Sequence, residues 1–214
     1  MPVESPGSNL DPKNRLRQAY DAGAAARDEA GEDEWRDPLR RRLVALLADE
    51  EKTRVLEIGA GTGHTSLYFA DQGLDVTATD LSAAQVELCR AKGLTAHVRD
   101  FYNLGFPARS FHAVWAMNCL LHVPSAHMET VLAGIREVLD LGGTLHMGTW
   151  GGLSSEGIFE KDSYDPPRFF SLRTDDELHG LVSRVFEVEE LTTVDAASNV
   201  DDRLHMQFLT ARRR

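Results

Sequence analysis

Cysteine is scarce in this chain. Cys89 and Cys119 are the only two in 214 residues, too few and too unpatterned for a disulfide framework or a zinc site. A reduced, cytoplasmic setting is the simplest reading. Long apolar runs are missing as well: none approaches the ~20 residues that cross a bilayer. The opening Met1-Pro2-Val3-Glu4-Ser5 has neither the basic region nor the apolar core of a signal peptide. Positive charge is in deficit, with 23 Lys and Arg against 34 Asp and Glu and a net charge of −11. That balance argues against nucleic acid as a substrate, because phosphate binding needs a basic surface. Two short clusters, Arg40-Arg41-Arg42 and Arg212-Arg213-Arg214, do not outweigh it. The first reads as the solvent face of a helix and the second as a loose chain end. Internal repeats and signs of a second domain are also lacking.

What is present is one domain's worth of chain with an ordinary apolar share of 42%, enough for a full α/β core. The organising stretch runs from Arg54 to Gly63. Val55, Leu56 and Ile58 make a short strand, glycines follow at 59, 61 and 63, and His64 to Ala70 reads as a helix that turns Leu67 and Ala70 toward a sheet. Strand, glycine turn and helix open a doubly wound α/β domain. Glycine lets a ligand lie against bare backbone, and the helix offers free N–H groups to an anionic group. A second strand, Val76 to Asp80, ends in a carboxylate ~20 residues after the glycines, where it can accept from both hydroxyls of a ribose.

Glu57, Gly59, Gly61, Gly63 and Asp80, in that order, resemble the first two motifs of the class I S-adenosylmethionine-dependent methyltransferases, E/D-x-G-x-G-x-G and an acidic end to the second strand. The resemblance covers residues 52 to 150 by motif and extends to 211 by architecture. It implies a doubly wound, mostly parallel sheet of seven strands with an antiparallel closing strand, helices on both faces and an N-terminal helical cap. Residues 1–51 would supply leader and cap, and 52–214 the methyltransferase domain. It also implies S-adenosyl-L-methionine as methyl donor and S-adenosyl-L-homocysteine as product. The donor would contact Glu57, Gly59, Ala60, Gly61, Gly63, Asp80 and Leu81. Asp100 and Phe101, at the end of a third strand, would meet the adenine, and Asn118, after the fourth, the methionine part.

The remaining elements follow in order. Residues 1–11 read as a weakly docked leader, Pro12 to Ala30 as a helix interrupted near Gly23, and Trp35 to Ala48 as a second helix. Ser82 with Gln85 caps a helix that Gly93 closes. Phe111 to Met117 is nearly all apolar, as a central parallel strand should be. Pro124 opens a helix reaching Asp140, Gly142-Gly143 ends it, and Thr144 to Trp150 is the fifth strand. Gly151 to Arg173 lacks clear periodicity and reads as a long loop rich in aromatics, suited to a lid. Thr174 with Glu177 caps a last helix, and two alternating segments, Val185–Leu191 and Leu204–Leu209, read as a closing antiparallel pair.

Chemistry is less legible. Methyl transfer draws much of its acceleration from positioning, on the order of 7–11 kcal/mol at best, so an acid or base is not obligatory. His122 and His146, both near the carboxyl end of the sheet, are the candidate general bases for a hydroxyl acceptor. Tyr20, Trp35, Trp150, Tyr164, Arg168 and Phe169 are the candidate acceptor contacts. Ubiquinone-pathway O-methyltransferases carry E-x-x-E-H-V-P and a metal where this chain has Asn118, Leu121 and His122. With both carboxylates missing, no metal is expected. The expected partner is a small, partly apolar molecule methylated on O or N, with no nucleic acid or membrane, on a monomer or homodimer. Two rivals remain, an NAD-dependent oxidoreductase and a non-catalytic S-adenosylmethionine-binding regulator.

Overall fold

A computed structural model describes residues 11–31, 35–194 and 203–214. All but the last residue of the expected leader lies outside them. Two helices, α1 (Pro12–Ala30) and α2 (Arg36–Asp49), precede the first strand. Then come β1 (Arg54–Ile58), α3 (His64–Asp71), β2 (Asp75–Asp80), α4 (Ala83–Ala91), β3 (Thr95–Val98) and β4 (Phe111–Met117). A 3-10 turn over Leu120–His122 leads to α5 (Ser125–Val138) and β5 (Leu139–Gly151). A small hairpin, β6 (Ser155–Ile158) and β7 (Phe169–Leu172), precedes α6 (Asp175–Ser183), β8 (Glu187–Val194) and β9 (His205–Arg212).

Seven strands form one sheet in the order β3-β2-β1-β4-β5-β9-β8, with β9 antiparallel to both of its neighbours. The strand period of two divides the core between its faces. Leu56, Val114, Ala116 and Leu145 turn toward α5 and α6, while Val55, Ala113, Trp115 and Phe208 turn toward α2 and α3. Ala78 and Ala96 pack against Val86 and Cys89 of α4. The reversal of strand order between β1 and β4 opens a crevice at the carboxyl ends of the parallel strands.

Several boundaries differ from the sequence reading. Helix α1 runs without a break through Gly23, whose bare Cα lets the Tyr164 ring approach: an added Cβ would meet Tyr164 Cε1 at 2.9 Å. In α3 the buried residues are Thr65, Ser66 and Phe69, while Leu67 is half-buried and Ala70 exposed. Ser66 goes inward because its hydroxyl donates to the Glu57 carboxylate, a pairing that hydropathy does not reveal. Strand β5 begins at Leu139, five residues earlier than expected. Its pairing with β4 jumps from Phe111↔Leu139 to Ala113↔Thr144, and Gly143 fits the irregularity because a Cβ there would lie 2.9–3.0 Å from two carbonyl oxygens. The expected loop 151–173 contains the β6–β7 hairpin. Nor is the C-terminal arginine cluster loose. Arg212 belongs to β9 and binds Glu50, and Arg213 donates to the carbonyl of Arg136 at 2.6 Å. The Thr174–Glu177 capping box forms in full.

Candidate functional site

The crevice is a cavity of about 360 Å³. Its floor is the β1 glycine turn. Gly59 sits at φ +67°, and a Cβ there would meet Cys119 Cβ at 2.3 Å, so no other residue fits without movement. The Asp80 carboxylate closes the end of β2, accepting from the N–H groups of Gly61 and Ser82, each at 2.9 Å. Burial pushes its pKa up to about 6 despite those hydrogen bonds. Helix α1 forms the roof. Asp21 accepts from the Ser82 hydroxyl at 2.6 Å, and Asp28 pairs with Lys92, so both halves of α1 are tied to α4 and its C-terminal end.

Of the residues assigned to the donor, Glu57, Gly59, Ala60, Gly61, Asp80, Leu81, Phe101 and Asn118 line this cavity. Gly63 does not; it caps α3. Asp100 lines a neighbouring cavity of about 270 Å³ and pairs there with Lys13. Asn118 holds a left-handed backbone, φ +53°, at the end of β4, an uncommon state for a non-glycine residue. Its side-chain Oδ1 and that of Gln85, Oε1, are buried without a hydrogen-bond partner, and both residues line this space.

The acceptor candidates separate. Tyr20, Trp150 and Arg168 line the main cavity, Phe169 the neighbouring one, and His122 both. Tyr164 lines neither but packs on the Arg168 guanidinium, 3.8 Å from its ring centre. Trp35 lies away from both cavities: it rests on Phe208, ring centres 5.4 Å apart, and anchors the start of α2 to the sheet. His146 is also removed from them. Buried in β5, it stacks on Trp115 and lies 3.2 Å from the Thr144 hydroxyl. Burial lowers its pKa to about 3, so it is a neutral core residue. The parity of β5 sends it to the face covered by α2, away from the crevice.

His122 is held from both sides. Its Nδ1 lies 2.7 Å from the Phe169 carbonyl and its Nε2 2.8 Å from the Tyr20 hydroxyl. Burial lowers its pKa to about 4. Arg168 donates to Tyr20 at 3.0 Å and makes a two-pronged pair with Asp162 at 2.7 and 2.8 Å. The sequence reading missed Gln85, Phe170 and Arg27, which also line the cavity. Arg27 had a legible signal: Leu16, Tyr20, Gly23 and Arg27 recur at helical spacing and make one face of α1. Among the described residues, no group of three His, Cys, Asp or Glu could hold a metal ion, and no helix is long and apolar enough to cross a membrane.

A family model described as a methyltransferase domain matches residues 55–143. The chain is 29% identical to aklanonic acid methyltransferase DauC of Streptomyces sp. (strain C5), over 62% of this chain and 64% of that one. In three dimensions it superposes on the 1,6-didemethyltoxoflavin-N1-methyltransferase of Burkholderia thailandensis, solved with S-adenosylhomocysteine bound. The TM-score is 0.69 at 25% identity, over 99% of this chain and 93% of that one. Residues 55–143 carry a methyltransferase domain, and the chain has the fold of the class I S-adenosylmethionine-dependent methyltransferases. The chain is also 34% identical, over 49% of its length and 39% of the relative's, to the S-adenosyl-L-methionine-dependent Diels-Alderase iccD of Talaromyces variabilis. The chain aligns with 39% to 64% of the length of these two curated relatives. S-adenosylmethionine is the cofactor of this methyltransferase domain. The cavity offers it bare glycine backbone at Gly59 and Gly61 and the carboxylate of Asp80.

Proposed function

We propose that this chain transfers the methyl group of S-adenosylmethionine to an oxygen or nitrogen of a small, partly apolar metabolite, in the cytoplasm, as a monomer or homodimer and without a metal. The observation that carries the reading is the convergence of the glycine turn, Asp80, Gln85 and Asn118 on one cavity at the carboxyl ends of the parallel strands. Bound there, the cofactor supplies an electrophilic methyl on a sulfonium. The chain's residues hold and orient it. Asp80 accepts from the ribose hydroxyls, Leu81 and Phe101 flank the adenine with Asp100 nearby, and Gly59, Ala60, Gly61 and Asn118 receive the methionine part. Glu57 and Gly63 shape that turn.

On the acceptor side, Tyr20, Trp150, Arg168 and His122 form one wall, and Phe169 and Tyr164 back it. The rings of this wall favour a partly apolar acceptor, and desolvation there strengthens the polar contacts that orient it. His122 is neutral at ordinary pH and so is ready to receive a proton.

The likeness to a Diels-Alderase favours one second reading, in which the cofactor is bound but no methyl leaves it. An acceptor screen with isotopically labelled methyl donor and mass-spectrometric detection decides between them. Label in a product together with release of S-adenosylhomocysteine supports methyl transfer; saturable cofactor binding with label in no product would favour the second reading.

A further inference from the structure

We propose that the acceptor's proton is taken by the Tyr20 phenol and handed on to His122, so that the catalytic base of this site is a two-residue relay rather than the imidazole alone. This deepens the methyl-transfer reading and rests on it.

The hydrogen-bond directions carry the argument. The Phe169 carbonyl can only accept, so His122 Nδ1, 2.7 Å away, holds the ring's proton. A neutral imidazole has one N–H, which leaves Nε2 bare and facing the Tyr20 hydroxyl at 2.8 Å. On the other side of that hydroxyl stands Arg168 Nη1, which can only donate, at 3.0 Å. Tyr20 therefore gives its proton to Nε2 and accepts from Arg168. Neither nitrogen of His122 is left for an acceptor molecule. The Tyr20 oxygen retains a lone pair, and Tyr20 lines the main cavity. The direction is locked because Arg168 is itself fixed. Asp162, its side chain 4% exposed, takes both the Nε and Nη2 hydrogens and the Arg168 backbone N–H at 2.9 Å.

The charges around Tyr20 fit a transient phenolate. Arg168 and Arg27 stand 5.3 and 5.6 Å from its ring centre, and the Tyr164 ring meets it edge-on. Burial and, across the cavity, Asp80 oppose ionisation and keep the resting group neutral. In the reaction, a lone pair of the acceptor oxygen forms the new bond to the methyl carbon, and the sulfur–carbon bond breaks with its electron pair going to sulfur. The acceptor's O–H bond then breaks, its proton passes to Tyr20, and the Tyr20 proton passes to His122 Nε2. The products are the methyl ether, the neutral thioether and a His122 imidazolium that later loses its proton to water. A weak base suffices, because an oxygen gaining a methyl becomes far more acidic than the parent hydroxyl.

Two measurements test this. The first uses the nitrogen-15-labelled chain saturated with S-adenosylhomocysteine and follows the His122 ring resonances, in wild type and Tyr20→Phe. The expected result is the Nδ1–H form from about pH 5.5 upward, with the Nε2 resonance moving in Tyr20→Phe. An Nε2–H form in the wild type would overturn the relay. The second uses the acceptor that the labelled-methyl screen returns. Tyr20→Phe and His122→Gln should each lower kcat by about 10²–10³-fold, the double variant little further, because the two act as a unit. S-adenosylhomocysteine affinity should stay within about threefold in both, which certifies the fold. If Tyr20→Phe keeps kcat within about threefold while His122→Gln loses it, the imidazole acts directly and the relay is wrong. An empty acceptor screen would count against methyl transfer itself, while the ring resonances still report on the relay geometry.

Discussion

Lowering the pH from 7 to 5 should weaken S-adenosylhomocysteine binding about tenfold, and Asp80 is the reason. Its carboxyl titrates near 6 in the free chain because burial disfavours the charge. Two oxygens already accept from Gly61 and Ser82, and the remaining lone pairs are those a ribose can use. Hydroxyls donate to the ionised form, so binding lowers the pKa and affinity is full above about 6. It falls as pH drops through that value, by one decade, about 1.4 kcal/mol, for each further unit. Free-chain stability runs the other way. A carboxyl raised on folding favours the fold below its unfolded pKa near 3.8, and that contribution is lost as pH rises through about 6. Calorimetric titration at half-unit steps, with Asp80→Asn as control, measures the slope. Asp80→Ala should weaken binding at pH 7 by about 1.5–3 kcal/mol, the value of a charge-assisted contact. A slope that persists unchanged in Asp80→Asn would refute the assignment.

Further outcomes follow from the same geometry. Gly61→Val should abolish S-adenosylhomocysteine binding while circular dichroism stays near native, because the side chain would point toward Gln85 and Arg27 in the cavity at φ +57°. His146→Gln should leave methyl transfer within about twofold and lower stability by about 1–3 kcal/mol in chemical denaturation, as for other buried polar changes. Arg168→Ala should lower stability by about 1–3 kcal/mol, since Asp162 loses its charged partner but keeps the backbone N–H of residue 168. In the cold, where that variant remains folded, its S-adenosylhomocysteine affinity should stay within about threefold while acceptor turnover drops.

The donor half of the site was legible because its chemistry is local. Glu57 to Gly63 are contiguous, and Asp80 ends the adjacent strand, so spacing alone carries their relation. The acceptor wall was not, because it is assembled from residues more than 100 positions apart. Tyr20 reaches His122 across 102 residues and Arg168 across 148. The sequence already set His146 inside the fifth strand, where its side chain could turn into the core, and His122 beyond the end of the fourth. The structure settles the direction: His146 alternates with Leu145 and Met147 along β5 and so lies on the opposite face, stacked on Trp115. Likewise Trp35 and Tyr20 looked alike as aromatic residues of the N-terminal cap, yet only Tyr20 shares a helical face with Leu16 and Arg27 beside the cavity.

The central claim is that the cavity beneath α1 binds the adenosyl cofactor of the methyltransferases. Parallel calorimetric titrations of the purified chain with S-adenosylhomocysteine and with NADH test it most directly. The account predicts one saturable site for S-adenosylhomocysteine, lost in Gly61→Val, and no heat of binding with NADH. Saturation by NADH with no response to S-adenosylhomocysteine would contradict it.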